Sequence, residues 1–499
     1  IINHIKKDDN IYCLNRTSYN FFKKKDLINA IFKCELSYKQ KKIIIKEEQN
    51  FTQTLTAFCN SNKICEITRY NIIYNCTELF RIIKNIEHSI PNYNDFCFFS
   101  DNEIINFNNK NDLIHNLIIT FKKSKIGFFS LFPLKKYKYN YFSNFLISFN
   151  NKMIKSILKN KKSLFINSFY QLNRLNKYTD IKLHTFTIYP VFDSKIFKVV
   201  KILFYNFFSK SRYIFIPENT NYKDDLIFDT LDIDYKFIII EYIISTYNLT
   251  QSIINTFNKY LLSKNFKFSI SCNHRPIIQS TVAQLSKNFG ISTILIPQGS
   301  VSIQKKYPYD YELNRMSDGI GYSNYATHIV AQSKISHEFL NQIVNDKKIS
   351  ILKNYPLLWN YSNFLESYKE DKFTFLLAST MKNYRTKNLM YEDSFEFFDL
   401  LKHINKFIKN NKALNIKFLV RFRGNEELKI NDVKDFEIPN YLEFSSNSLL
   451  IDDFKISNIL LSNSSTCIEE AFNSYLPVGL ISKIGYQHIF ESKSILLDK

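Results

Sequence analysis

The residues best equipped for chemistry lie near the C-terminus, in the stretch LLSNSSTCIEEAFNSYLPVGLI from Leu460 to Ile481. Asn463, Ser464, Ser465 and Thr466 place an amide and three hydroxyls where a short apolar run ends and a helix begins. The first N–H groups of a helix have no intrahelical partner, and together with the helix dipole they favour an anion. A phosphate is therefore the ligand this turn suits, resting on Ser464, Ser465 and Thr466. Glu470 follows about one turn later, where its carboxylate can accept hydrogen bonds from ribose or sugar hydroxyls. Two other stretches carry compatible groups. Ser379 and Thr380 close the run FTFLLA and lead into a basic loop with Lys382 and Arg385, while Arg421 and Arg423 close IKFLV. Hydroxyl donors and fixed cations suit a monophosphate or diphosphate leaving group. Arg421 and Arg423 alternate along a strand end, so both enter one cleft only if the strand has yielded to loop by Gly424; otherwise one is structural.

Bringing these loops together requires an open parallel sheet, in which ligands bind beyond the carboxyl ends of the strands. The second half of the chain has that rhythm. FKFSISC reads as a strand, IIQSTVAQLSKNFG as a helix closed by Gly290, ISTILIP and THIVAQS as strands, SHEFLNQIV as a helix capped by Ser336, and ISILKNYP as a last strand. A polar and aromatic linker spans about 357–371. A second set follows: FTFLLAST, a helix around Phe395 to Lys409, IKFLVRFRG, LEFSS and the Leu460 unit. The expected organisation is an α/β segment over 1–100, a Rossmann-like domain over 101–356 with a helical insert, and a second Rossmann-like domain over 372–499. In the first segment the apolar runs IYCL, KIIIK and FCFF alternate with polar helical stretches; between about 125 and 265 the pattern is mostly helical. There Lys195, Lys198 and Lys201 line one side of an apolar helix, as at a membrane interface or, the favoured reading, as solvated edges of a packed helix. Seven of the eight glycines fall at or after Gly290, which points function to the C-terminal half.

The 499 residues are 45% hydrophobic and 23% charged, a globular composition with room for two or three cores. The net charge of +21 accompanies a surplus of Lys, Asn, Ile, Phe and Tyr over Gly, Ala and Trp, as an AT-rich coding preference gives. A basic surface favours anionic nucleotides, polyanionic acceptors or an anionic membrane face. No nucleic-acid-binding module is visible, so nucleic acid is not an expected partner. Six of eight cysteines precede residue 100 without Cys-x-x-Cys pairs or His partners, which predicts reduced, mostly buried thiols and no metal site. No signal peptide opens the sequence, and the apolar run Phe237 to Tyr247, interrupted by Glu241, is too short to span a bilayer. A cytoplasmic protein is expected, with a peripheral contact at the inner face of the membrane. The start at Ile1 and the stop at Lys499 suggest a fragment at both ends.

The order hydroxyl cluster, Glu-Ala, Pro-Val across Ser464 to Val478 resembles the donor-binding element of glycosyltransferases with the GT-B fold, especially bacterial capsule, polysialic-acid and glycerophosphate transferases. The resemblance implies two Rossmann-like domains facing a cleft. It further implies that Ser464, Ser465 and Thr466 hold the phosphates of a nucleotide sugar and Glu470 its ribose, with no cofactor and no metal. Tyr475 stands where that family usually has Gly, which predicts a differently shaped helix exit. Gln298, Gly299 and Ser300 replace the family's His-Gly loop, and Arg423 replaces the His of its Arg-x-His-Pro segment. Sugar transfer needs a base for the acceptor hydroxyl. The candidates are His274, expected at a strand end facing the cleft, and Asp310 or Glu312, expected in the loop after Gly299. Asn273, Arg275 and Gln298 could bind a glycan or lipid-linked acceptor. Two rival readings stay open: a nucleotide-sugar epimerase, and an inactive nucleotide- or glycan-binding regulator.

Overall fold

The computed structural model describes residues 11–13, 31–33, 36–89, 96–100, 103–107, 163–166, 183–189, 211–215, 226–229, 231–264, 266, 268–297, 307–353, 372–378, 394–411, 414–422, 442–446, 449–462 and 467–481. Near the N-terminus, β1 (Ile11–Cys13) and β2 (Ile31–Lys33) pair in parallel. Two 24-residue helices follow, α1 (Tyr38–Ser61) and α2 (Glu66–Ser89). The run KIIIK, taken above for one of the apolar runs of an α/β unit, lies inside α1. Ser37 and Gln40 form a capping box there, and the buried positions Lys41, Ile44, Ile45, Glu48, Phe51, Leu55, Phe58 and Cys59 recur at helical spacing. Phe51 stacks on Phe80 across the hairpin at 4.1 Å. β3 (Phe96–Ser100) and β4 (Glu103–Phe107) form an antiparallel pair.

The stretch expected to be mostly helical contributes three strands, β5 (Ser163–Ile166), β6 (Leu183–Tyr189) and β7 (Ser211–Phe215). Their aromatic and β-branched residues suit strands, and parallel partners far along the chain hold them. After them α3 (Lys236–Lys264) packs on α2 and on α4 (Ile277–Asn288), burying Ile239, Ile243, Ile253 and Phe257. This helix contains a stretch, Lys236–Lys259, long and apolar enough to cross a membrane, half of it buried. Polar groups are satisfied at this junction: the amide of Asn71 donates to Thr250 and Thr281 and accepts from Ser280.

The strands β8 (Phe268–Ser271), β9 (Ser292–Leu295), β10 (His328–Ala331) and β11 (Ser350–Lys353) appear where the sequence pattern places them. With β5 to β7 they form one seven-stranded, wholly parallel sheet in the order β7-β6-β5-β8-β9-β10-β11. The order runs outward from β5 in one direction and from β8 in the other, which is the doubly wound arrangement. Between these strands lie α5 (Tyr309–Ser317) and α6 (Lys334–Ile343). The cap of α6 is Ser333, one turn before the expected Ser336, and its Oγ accepts the Ser336 N–H.

The second sheet repeats the scheme. β12 (Phe373–Ala378), α7 (Ser394–Asn410), β13 (Ile416–Arg421), β14 (Leu442–Phe444), α8 (Leu450–Lys455), β15 (Ile459–Ser462), α9 (Cys467–Asn473) and β16 (Val478–Leu480) give a parallel five-stranded sheet, β14-β13-β12-β15-β16. Successive residues of β12 face opposite ways. Leu377 joins the layer with Leu401 of α7, whereas Leu376 and Ala378 join Ile451, Phe454, Ile468 and Ala471 of α8 and α9. The chain is thus an α/β protein with two doubly wound sheets. One apolar cluster continues from Ile329, Ala331, Phe339 and Leu340 of the first sheet's side into Leu376, Leu460 and Ile468 of the second. Lys195, Lys198 and Lys201 lie outside the described residues.

Candidate functional site

In the second sheet the strand order reverses between β12 and β15, so the carboxyl ends of these two strands, Ala378 and Ser462, flank the switch point where doubly wound sheets take ligands. Ser462 is fully buried and its hydroxyl reaches the Ala378 carbonyl at 3.4 Å. The turn Asn463, Ser464, Ser465 and Thr466, together with Ser379, Thr380, Lys382, Arg385 and Arg423, lies outside the described residues. So do Gln298, Gly299 and Ser300. The described residues on either side of that turn in the sequence are Ser462, the buried end of β15, and Cys467, the first residue of α9.

The two acidic residues in the first turn of α9 part company. Glu469 is 1% exposed and accepts a hydrogen bond from the Ser333 hydroxyl, the same oxygen that caps α6. Ser333 follows the carboxyl end of β10 and Glu469 follows that of β15, so the carboxyl edges of the two sheets meet here. Glu470 is half-buried. Tyr475, expected to reshape the end of α9, instead adopts φ +55°. Its N–H bonds to Phe472 O and that of Leu476 to Ala471 O, the Schellman closure that a glycine would make. The exit is therefore shaped as in a chain with Gly at this position.

Arg421, of the pair with Arg423, has a structural contact. Its Nη1 pairs with the buried carboxylate of Asp453 and reaches Leu449 O at 3.3 Å, while the Ser445 hydroxyl donates to the same carboxylate at 2.7 Å. The guanidinium fastens α8 to the end of β13.

His274 does sit just past β8, at the switch point of the first sheet, but it does not face a cleft. It is 1% exposed, its Nδ1 lies 2.8 Å from the Ser323 hydroxyl, and its N–H donates to Gly319 O. Burial pushes its pKa down to about 3. A neutral imidazole sealed under the 317–323 turn has no route to an acceptor hydroxyl. Gly319 permits that seal: at φ +72° a Cβ would stand 2.9 Å from Arg275 Cγ. Asn273 is turned to local work, accepting the Arg275 N–H on Oδ1. Arg275 donates to Asp318 O and Arg315 O and lies over the ring of Tyr74. Glu312 is buried against Arg81 at 2.6 Å. Asp310 stays half-buried in the first turn of α5, its Oδ1 accepting the Tyr311 N–H.

Sequence reasoning missed the knot to which Glu312 belongs. Arg81 of α2 pairs with Glu48 of α1 and Glu312 of α5, and Arg315 pairs with Glu48 at 3.1 Å and with Glu78. Tyr311 donates to Glu48 at 2.9 Å. Burial drives the Arg81 guanidinium toward losing its proton, but Glu312 and Glu48 outweigh it and hold the pKa above the ordinary value. The one available signal was charge at buried helical positions of α1, since Glu48 falls on its apolar stripe. Among the described residues no group of three His, Cys, Asp or Glu side chains could hold a metal ion, and Cys59, Cys65, Cys76, Cys272 and Cys467 are free thiols.

No family model matches this sequence, and no curated protein does. Among solved structures the chain is similar to a UDP-GlcNAc 2-epimerase from Neisseria meningitidis bound to UDP-GlcNAc, with 10% identity and a TM-score of 0.36 over 64% of this chain and 81% of that one. It is also similar to the lipopolysaccharide outer core galactosyltransferase WaaB in its apo form, at 12% identity and TM-score 0.31, over 65% of this chain and 81% of that one. An Arabidopsis thaliana UGT complexed with UDP-L-rhamnose gives 10% identity and TM-score 0.37, over 65% and 80%. Likeness of this degree assigns the chain to no family.

Proposed function

We propose that this chain is a nucleotide-sugar-dependent glycosyltransferase of the GT-B type, passing a sugar to a glycan or lipid-linked acceptor. The observation that carries the reading is the reversal of strand order between β12 and β15, directly before a turn of one amide and three hydroxyls. In this reading Ser464, Ser465 and Thr466 bind the donor's phosphates and the half-buried Glu470 accepts hydrogen bonds from its ribose. Lys382, Arg385 and Arg423 stabilise the charge that grows on the departing nucleotide. With His274 sealed and Glu312 paired, Asp310 is the base among the side chains considered.

The test is incubation of the protein with UDP-, GDP-, CMP- and CDP-linked sugars, with and without glycan acceptors. Nucleotide released only when an acceptor is present supports transfer. Conversion of the donor without an acceptor would assign the site to an epimerase, and binding without turnover to a regulator. Glu470→Ala is expected to weaken nucleotide binding roughly tenfold or more, the worth of a hydrogen bond to a charged group.

A further inference from the structure

Beside the Arg81 knot, with Tyr311 and Arg315 shared between the two, α1, α2 and α5 leave an open cleft of about 320 Å³. That volume is at the lower end of the roughly 300–1,000 Å³ usual for small-molecule sites. Its walls are tyrosines. Tyr70 and Tyr74, one turn apart on α2, lie 6.1 Å apart with ring planes within 16°, and Tyr325 meets Tyr70 edge-on at 5.2 Å. Tyr311 closes the α5 side. The hydroxyls of Thr52 and Thr77, 3.2 Å apart, add to the polar lining.

The charges on the walls cancel. Arg69 and Arg315 are matched by Glu66 and Asp318, and Arg315 is engaged by Glu48 and Glu78. A phosphate or carboxylate ligand would meet two carboxylates, and a cation two guanidinium groups. The remaining chemistry is that of aromatic faces bordered by hydroxyl oxygens; those of Tyr70, Tyr311 and Thr52 have their protons engaged by Asp318, Glu48 and the Glu48 carbonyl and so meet a ligand as acceptors. The walls are also held in place: Tyr70 donates to Asp318 at 3.0 Å, Tyr311 to Glu48, and Arg275 lies over Tyr74. Such fixed rotamers reduce the ordering that a ligand must impose.

We propose that this cleft is a saccharide-binding subsite, separate from the nucleotide turn, which takes one neutral sugar ring with its C–H face on Tyr70, Tyr74 or Tyr325 and its hydroxyls on the threonine and tyrosine oxygens. The subsite does not depend on the transferase reading, because none of its residues belongs to the donor site. Ligand-observed saturation-transfer NMR on the full chain tests it, using methyl α-glucoside, methyl β-galactoside and N-acetylglucosamine, with inorganic phosphate as the anionic probe. At least one of the sugars is expected to show transfer, and Tyr325→Ala to weaken its binding about tenfold, the scale of one lost aromatic contact. Tyr325→Phe, which removes only the hydroxyl, gives a smaller loss on an unaltered fold, and Glu470→Ala leaves sugar binding unchanged. Absence of transfer from all three sugars, transfer indifferent to both Tyr325 variants, or a preference for phosphate would overturn the proposal. Nucleotide binding measured on the same samples separates its failure from failure of the donor site.

Discussion

Among the described residues three helices close with the same backbone motif, and the residue at the left-handed position is Gly290 in one, Lys63 in another and Tyr475 in the third. For a side chain with a Cβ that conformation costs about 1–2 kcal/mol, part of which glycine would return through its freer unfolded chain. Tyr475 is 73% exposed and has little packing to lose. Tyr475→Gly should therefore stabilise the protein by about 0.5–1 kcal/mol, read as a higher urea midpoint; a lower midpoint would contradict the account. His274 supplies a pH effect of definite sign. Its folded pKa of about 3 lies below the ordinary value, so as pH falls from about 6.5 the unfolded chain takes up the proton first and stability declines. His274→Asn keeps a polar group beside Ser323 yet cannot titrate. Its melting temperature should fall less steeply than the parent's between pH 7 and 5, and equal slopes would show that the imidazole is not the titrating group.

At the level of elements, the buried ion pairs bind the N-terminal hairpin to α5. Arg81→Met leaves Glu48 and Glu312 without their shared cation in a site that is 0–1% exposed. A loss of about 3–5 kcal/mol is expected, measured by denaturant unfolding. Replacing all three residues with apolar side chains should recover much of it, because no unpaired charge then remains. The same elements show which parts of the fold could be read from sequence. From β8 onward, each strand is a short apolar run punctuated by Gly, Ser, Asn or Pro, and α4, α6 and α7 carry 3.6-residue spacing, so their positions and types were legible, whereas α5, whose Asp310 and Glu312 read as loop residues, and the short α8 were not. Before β8 positions and types were not legible. Lysines flank the three isoleucines of KIIIK as they would on a strand, although only Ile44 and Ile45 lie on the buried helical stripe and Ile43 is exposed, and β5 to β7 are defined by partners across the sheet rather than by local punctuation. The site divides likewise. The strand-turn-helix framing of residues 463–466 was visible locally, whereas the burial of His274 depends on a turn more than 40 residues further along the chain that folds over it.

In the whole molecule the two sheets share an apolar cluster and the hydrogen bond from Ser333 to Glu469. Both partners are buried, so the contact fixes one sheet edge against the other instead of decorating a surface. Ser333→Ala should cost about 1–3 kcal/mol and raise amide exchange in α6 and α9 together; exchange raised in α6 alone would mean that only a helix cap was lost. The hairpin of α1 and α2 also bears on how the chain is made. Glu48 and Tyr311 are 263 positions apart, and at about 5–20 residues per second the ribosome needs on the order of tens of seconds to traverse that interval. Throughout it the amphipathic hairpin is complete while Glu48 and Glu78 still await Arg315. A newborn chain therefore carries a half-neutralised interior out of the exit tunnel, and the hairpin of α1 and α2 is a natural client for holdase chaperones until α5 arrives.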